Sequence, residues 1–282
     1  MTGDTDSRHA GAGQSGMPDL ALVVADPGGT LLALDFDGTL AHIVDDPATA
    51  FGHAHAVEAL ARLGPLLGRV AIVTGRPVHQ VLELGGFLGR PGFEHLVVCG
   101  QYGAERWDAV DGAPPPSDLV APVQHALDTL PGWLVEHGVP DARLESKGLA
   151  VAVHTRGLGD GVRDQLIEPM TVLAAGLGLT IELGREVIEL RLPGWDKGRV
   201  LEGLVDEFDV RHIVFAGDDL GDIPAFDAVD RLRARGYSGV LVYSASPEQP
   251  GLAERADLVV DGPDGIAEWL GRLADALEAR RS

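Results

Sequence analysis

The chain has 282 residues, 45% of them hydrophobic, and its 43 acidic against 22 basic residues give a formal net charge of −21. That length suits one large α/β domain or two unequal ones, and the acidity excludes the basic footprint that nucleic acid or an anionic membrane requires. The single cysteine, Cys99, rules out an intramolecular disulfide and reads, within an apolar run, as a small buried hydrophobe.

Residues 1–19 are Gly-, Ser-, Asp- and Thr-rich and lack the basic and apolar regions of a signal peptide, so they read as a disordered leader. No apolar run approaches the roughly 18 residues that span a bilayer, and the expected location is the cytoplasm. Leu31–Asp35, Val70–Thr74, Leu96–Cys99, Ile213–Ala216 and Gly239–Tyr243 are short apolar runs ending in Gly or polar residues. Each predicts a strand buried on both faces. Helical spacing falls between them, over Ala54–Leu67, Lys197–Phe208 and Gly221–Arg235. The alternation predicts an α/β fold with a doubly wound, Rossmann-like parallel sheet.

The middle of the chain reads differently. After a turn-rich patch at Asp111–Ser117, a helix is expected around Leu119–His137, then a hairpin from Ala142–Lys147 and Leu149–His154. A helix around Asp160–Leu177 and strands at Thr180–Leu183 and Glu186–Leu192 follow. Apolar and polar residues alternate along these strands, as in a half-exposed antiparallel sheet. Residues 110–192 are therefore expected to form a smaller α+β cap inserted into a core of residues 20–109 and 193–282.

Four features follow core strands, where a doubly wound sheet gathers its ligands. Asp35-Phe36-Asp37-Gly38-Thr39 offers two carboxylates, one able to attack phosphorus and both able to give oxygen to a metal; alone, it is also an ordinary turn. Thr74-Gly75-Arg76 offers a hydroxyl and backbone N–H groups for phosphate oxygens, although Thr-Gly turns are common. Lys197 opens a helix and can neutralise anionic oxygens, or be merely solvated. Asp218, Asp219 and Asp222 crowd together in a way that Mg²⁺ would relieve, whereas a helix N-terminus explains only one or two of them.

In this order the four features resemble the haloacid dehalogenase-like phosphohydrolases. Further runs resemble the trehalose-6-phosphate phosphatase family within that superfamily: Asp35–Pro47, Cys99–Glu105, Glu145–His154, Val187–Arg191 with Asp196–Gly198, and Val259–Pro263. The resemblance implies a Mg²⁺-dependent phosphatase with Asp35 as nucleophile and Asp37 as acid/base. It places Thr74, Gly75 and Lys197 on phosphate, Asp35, Asp37 and Asp218 on the metal, and Asp219 and Asp222 behind it. For the sugar it implies Glu145 and Lys147 from the cap and Glu105 from the core, with Arg76, Tyr102, His154 and Glu189 assisting.

Tyr102 stands where the family usually has His, Thr155 where an aromatic often follows the cap histidine, and Gly221 with Ile223-Pro224 where Thr and acids are usual. These differences leave the phosphate chemistry intact and fall partly on the sugar side, so a trehalose-like pseudo-disaccharide phosphate competes as substrate. A non-catalytic sugar-phosphate sensor and a sugar phosphomutase are the other readings, and oligomeric state is not legible. The expected partner is a small sugar phosphate, with no nucleic acid and no membrane.

Overall fold

Successive residues of the first strand serve two different cores, which is what an uninterrupted apolar run of this length does in a sheet covered on both sides. In β1 (Thr30–Leu34), Leu32 and Leu34 pack into one apolar cluster while Leu31 and Ala33 pack into another. The computed structural model describes residues 21–112, 120–159, 161–184, 186–246 and 250–281. The expected leader over residues 1–19 lies outside the described residues. So do residues 113–117 of the turn-rich patch and the first residues, Leu119 and Asp160, of the two expected cap helices.

In chain order the regular elements are α1 (Ala21–Ala25), β1, α2 (Ala54–Leu63), β2 (Arg69–Val73), α3 (Val78–Leu84), β3 (Leu96–Gly100) and β4 (Glu105–Asp108). Next come α4 (Ala121–Glu136), β5 (Arg143–Ser146), β6 (Ala150–His154), α5 (Val162–Gly176), β7 (Thr180–Gly184) and β8 (Val187–Arg191). The chain then runs through α6 (Lys197–Phe208), β9 (His212–Gly217), α7 (Ile223–Ala234), β10 (Ser238–Ser244), β11 (Leu258–Val260) and α8 (Gly262–Arg281). A seven-stranded sheet has the order β11-β10-β9-β1-β2-β3-β4, parallel except for the antiparallel β4 at its edge. Helices α2, α3 and α8 supply the cluster on one face, and α6 and α7 that on the other. This is the α/β doubly wound arrangement that the strand–helix alternation predicts.

The structure differs from the sequence reading in six elements of this layer. Helix α2 stops at Leu63, because Gly64 caps it and Pro65 has no N–H with which to continue. Helices α1 and α3, strand β4, the three-residue β11 and the long α8 are additional. Helix α8 buries Ile266, Trp269, Leu270 and Leu273 against α2, and Arg62 of α2 bonds Asp275 and Glu278 of α8.

The second sheet, β5-β6-β8-β7, is antiparallel throughout. One row across it is Leu144, Val153, Ile188 and Leu183, which packs with Val123, Ala126 and Leu130 of α4 and Leu166 and Met170 of α5. The adjacent row is Glu145, Ala152, Glu189 and Glu182. Because strand side chains alternate between faces, the same register that buries the apolar row must present this acidic row on the opposite face.

Candidate active site

The acidic face of the small sheet and the carboxyl ends of β1, β2 and β9 line one cleft of about 530 Å³. At its floor, Asp35 follows β1 directly, its N–H donating to the Ala216 carbonyl at 2.9 Å, and its residue is only 4% exposed. Lys197, the first residue of α6, places Nζ 2.7 Å from Asp35 Oδ1 and 2.7 Å from Asp222 Oδ1. Burial works against the ammonium's charge, but Asp222 and Asp35 outweigh it and hold its pKa well above the ordinary lysine value.

Asp222 uses both of its oxygens in this part of the site. Its Oδ2 accepts the N–H groups of Asp218 at 2.8 Å and Asp219 at 3.1 Å, so it braces the turn after β9. Asp218 instead points at Gly38, whose φ of 75° and lack of a side chain both matter, since a Cβ there would run into the Asp218 carboxylate. Thr39 Oγ1 lies 3.4 Å from Asp218 Oδ1, while Asp218 Oδ2 and Asp219 Oδ1 are buried with no hydrogen-bond partner among the described residues.

Burial first, then the charges of Asp35 and Asp222, pushes the Asp218 carboxyl up to about 10. Burial followed by Asp222 pushes Asp219 up to about 7, and burial also holds Asp35 well above the carboxylate range. Oxygens of Asp35, Asp218 and Asp222 lie within 4.8 Å of one another. A hard divalent cation fits this oxygen-only donor set, because it would occupy the bare Asp218 oxygen and remove the repulsion that drives the carboxyls toward protonation.

Asp37 is set apart from the cluster. Arg76 Nε and Nη2 donate to its Oδ2 and Oδ1 at 2.6 and 2.7 Å, a bidentate pair, and Arg76 Nη1 reaches the Pro47 carbonyl at 2.8 Å. Thr74 Oγ1 accepts the Arg76 N–H at 3.1 Å, which folds the β2 turn so that the guanidinium faces Asp37. Gly75 leaves room for Tyr102, whose ring a Cβ at position 75 would overlap. Gln101 and Tyr102 both have left-handed backbones, φ 47° and 59°, held there by N–H bonds of 2.9 Å to the Arg76 and Thr74 carbonyls.

On the facing sheet, Lys147 Nζ pairs with Glu189, and His154 Nε2 lies 2.8 Å from Glu145 Oε2. The hydrogen bond from His154, assisted by Lys147 and Arg143, overcomes burial and holds the Glu145 carboxyl down at about 2. Asp35, Asp37, Thr74, Gly75, Arg76, Tyr102, Glu145, Lys147, His154, Glu189, Lys197 and Asp219 all line the cleft. Glu105 does not. Its Oε2 accepts the Val78 N–H at 2.8 Å and its Oε1 accepts from Gln101 Nε2 at 2.5 Å, so both oxygens serve the loop beneath the site.

Sequence reasoning missed several residues here. Gln101 Oε1 accepts the Leu149 N–H at 3.1 Å and so ties the large sheet to the small one. Arg156 crosses the cleft mouth, with Nη1 3.3 Å from the Asp45 carbonyl, and Arg143, Glu182 and Glu186 join the lining. The alternation that put Glu145 on the cleft face also puts Arg143 and Glu182 there, so those two had a signal. Gln101 and the Arg156–Asp45 contact had none.

The doubly wound sheet, the inserted antiparallel sheet and the Asp35–Lys197–Asp218 floor define a haloacid dehalogenase-like phosphatase. Solved structures agree on the fold. The C-terminal domain of the C. albicans trehalose-6-phosphate phosphatase superposes with a TM-score of 0.75 at 21% identity, over 92% of this chain and 96% of that one. A haloacid dehalogenase-like hydrolase from Bacteroides thetaiotaomicron superposes with a TM-score of 0.62 at 17% identity, over 86% and 99%. In sequence, the family model described as Trehalose-phosphatase matches residues 135–261. The chain is 33% identical to a trehalose-phosphate phosphatase of Mycobacterium marinum, over 97% of this chain and 71% of that protein. It is 35% identical to one from Mycobacterium avium, over 86% and 62%. The chain belongs to the trehalose-phosphatase family. Among the described residues no helix is long and apolar enough to cross a membrane.

Proposed function

We propose that this phosphatase hydrolyses trehalose 6-phosphate to trehalose and inorganic phosphate, with Mg²⁺, through a phosphoryl group carried on Asp35. The observation that carries the proposal is Lys197 seated 2.7 Å from both Asp35 and Asp222 beside the bare Asp218 oxygen. Asp35 and Asp218, with the Asp37 carbonyl, would hold Mg²⁺, which supplies charge neutralisation for the phosphoryl oxygens. Residues 110–192 act as a cap over a core of residues 20–109 and 193–282.

Asp35 attacks phosphorus while the bond from phosphorus to the sugar oxygen breaks, and Asp37, which enters this step as the protonated acid, gives that oxygen its proton and is left as the carboxylate. Asp37 then takes a proton from the water that attacks phosphorus, releasing phosphate and restoring the Asp35 carboxylate. Thr74, the Gly75 N–H and Lys197 hold the phosphoryl oxygens throughout. Arg76 grips Asp37 from the side and fixes the direction of its carboxylate. Glu145, Lys147, His154 and Glu189 exchange their mutual pairing for sugar hydroxyls, which closes the cleft and excludes water.

Phosphate release from trehalose 6-phosphate, glucose 6-phosphate and other disaccharide phosphates, with Mg²⁺ or with EDTA, tests the proposal. The expected result is turnover that needs Mg²⁺ and favours trehalose 6-phosphate by about 10²-fold or more. Equal or greater turnover of another ester would transfer the assignment to that ester. An isomerised sugar without free phosphate would mark a mutase, and tight binding without turnover a sensor.

A further inference from the structure

A second group of metal-competent side chains lies beside the catalytic loop and takes no part in the chemistry above. Past Asp37 the chain doubles back. The Gly38 N–H bonds the Ala41 carbonyl at 2.7 Å, the His53 N–H bonds the Leu40 carbonyl at 2.7 Å, and Ala41 bridges Gly52 in antiparallel fashion. His42 and His53 thus sit on the two arms of one short loop-back. Asp264, in the first turn of α8, comes in between them. Its Oδ1 lies 3.3 Å from His42 Nε2 and 3.1 Å from His53 Nε2, and the three donor atoms lie within 4.8 Å of one another.

A tetrahedral ion with bonds of about 2.0–2.1 Å to nitrogen and oxygen separates its ligand atoms by about 3.3–3.4 Å. Two of the three ligand separations are already close to that, and the half-exposed His42 ring is free to close the third. Two imidazoles and one carboxylate form a donor set suited to zinc-like ions and poorly suited to Mg²⁺, which takes oxygen ligands and keeps several waters. Among the described residues, the side chains that pair with Asp264 are these two histidines, and no Lys or Arg does so.

We propose that His42, His53 and Asp264 form a second metal site, for a borderline transition ion of the Zn²⁺ type, with its remaining position open to water. Ligation through Nε2 places the His53 proton on Nδ1, which now accepts a long 3.4 Å bond from the Ala56 N–H at the start of α2. The ion therefore exchanges a weak helix cap for a metal bond. By joining both arms of the loop-back to α8, it braces the backbone that carries Asp37 and Gly38.

Cobalt(II) titration of the protein in saturating Mg²⁺ tests the site, because four-coordinate cobalt with nitrogen ligands absorbs visible light far more strongly than six-coordinate cobalt in an oxygen cage. Wild type should develop the strong bands with one equivalent of cobalt, and Zn²⁺ should displace them. His42→Ala and Asp264→Asn, both at exposed positions, should each weaken cobalt binding at least tenfold, whereas Asp218→Asn should leave the bands unchanged. The proposal is overturned if wild type shows no strong bands at about 0.1 mM cobalt, enough to fill a site of micromolar affinity. It is equally overturned if His42→Ala and Asp264→Asn bind as wild type does, or if Asp218→Asn abolishes the bands.

Discussion

The two walls of the cleft solve opposite problems. On the large sheet, carboxylates are buried beyond what one lysine can balance, and among the described residues one oxygen each of Asp218 and Asp219 has no hydrogen-bond partner. On the small sheet the charges are paired off, Lys147 with Glu189 and His154 with Glu145, in partly solvated surroundings. Under the proposed mechanism, a wall left incomplete would hold a fixed place for an ion and a phosphoryl group, whatever ester carries them. A wall already satisfied must give up its pairs to bind anything, so it yields only to a ligand that replaces each lost hydrogen bond. Reaction type and substrate choice are on this view separable, and variants on either wall should divide accordingly.

The largest effect is expected from Asp35→Asn. The amide keeps the shape but is a poor nucleophile, so turnover should fall by roughly 10³-fold or more for trehalose 6-phosphate and for a small aryl phosphate alike. Loss confined to one substrate, measured by steady-state phosphate release, would break the division between the walls. Next come Glu145→Ala and Lys147→Ala, expected to lower kcat/KM for the disaccharide ester by about 10²-fold, near 3 kcal/mol, with the aryl ester within a few-fold of wild type. Equal losses on both esters would place these residues in the phosphate machinery.

Arg76→Lys should cost about tenfold in kcat on both esters, because a lysine cannot reproduce the two-pronged grip on Asp37. An effect on KM alone would make Arg76 a substrate contact only. The smallest effect concerns acid stability. The folded Glu145 carboxyl is depressed from 4.5 to about 2, so its contribution is fully present above pH 4.5 and is lost as pH falls toward 2. After screening at a side chain about one-third exposed, this is on the order of 1 kcal/mol. The urea midpoint of wild type should therefore exceed that of Glu145→Gln at pH 6, and the gap should shrink between pH 4.5 and 3. A constant gap would mean that the carboxylate charge contributes nothing to stability.

What could be read from sequence follows the physics of burial. Strands β1, β2, β3, β9 and β10 are covered on both faces, so they announce themselves as apolar runs. Strand β4, Glu-Arg-Trp-Asp, is a partly buried edge strand with three charged residues in four, so its sequence has the composition of a loop. Helix α8 opens on Gly-Pro-Asp-Gly, which reads as a turn, but its Ile266–Arg281 stretch is rich in Ala, Leu, Glu and Arg and buries Ile266, Trp269, Leu270, Leu273 and Leu277 at helical spacing, a legible signal that the sequence reading passed over. The candidate site was legible where its chemistry lies within short motifs. Gln101 was not, because its importance comes from two left-handed residues and a partner 48 positions away. Nor was the commitment of both Glu105 oxygens to neighbouring groups, which depends on where the Val78 N–H falls.

The position of β1 between β2 and β9 also bears on how the enzyme is made. Leu34 pairs with Ile72 on one side and with Ala216 on the other. The nearer partner can be met early in synthesis, but the farther one emerges from the ribosome about 180 residues later, at roughly 5–20 residues per second. Until then Asp35 has neither the Ala216 carbonyl nor Lys197, Asp218 or Asp222. Such long-range pairing makes for slow folding, and it means that a nascent or truncated chain lacking β9 has no phosphatase centre. Catalytic competence in this architecture waits for β9 and the turn that follows it, and arrives all at once.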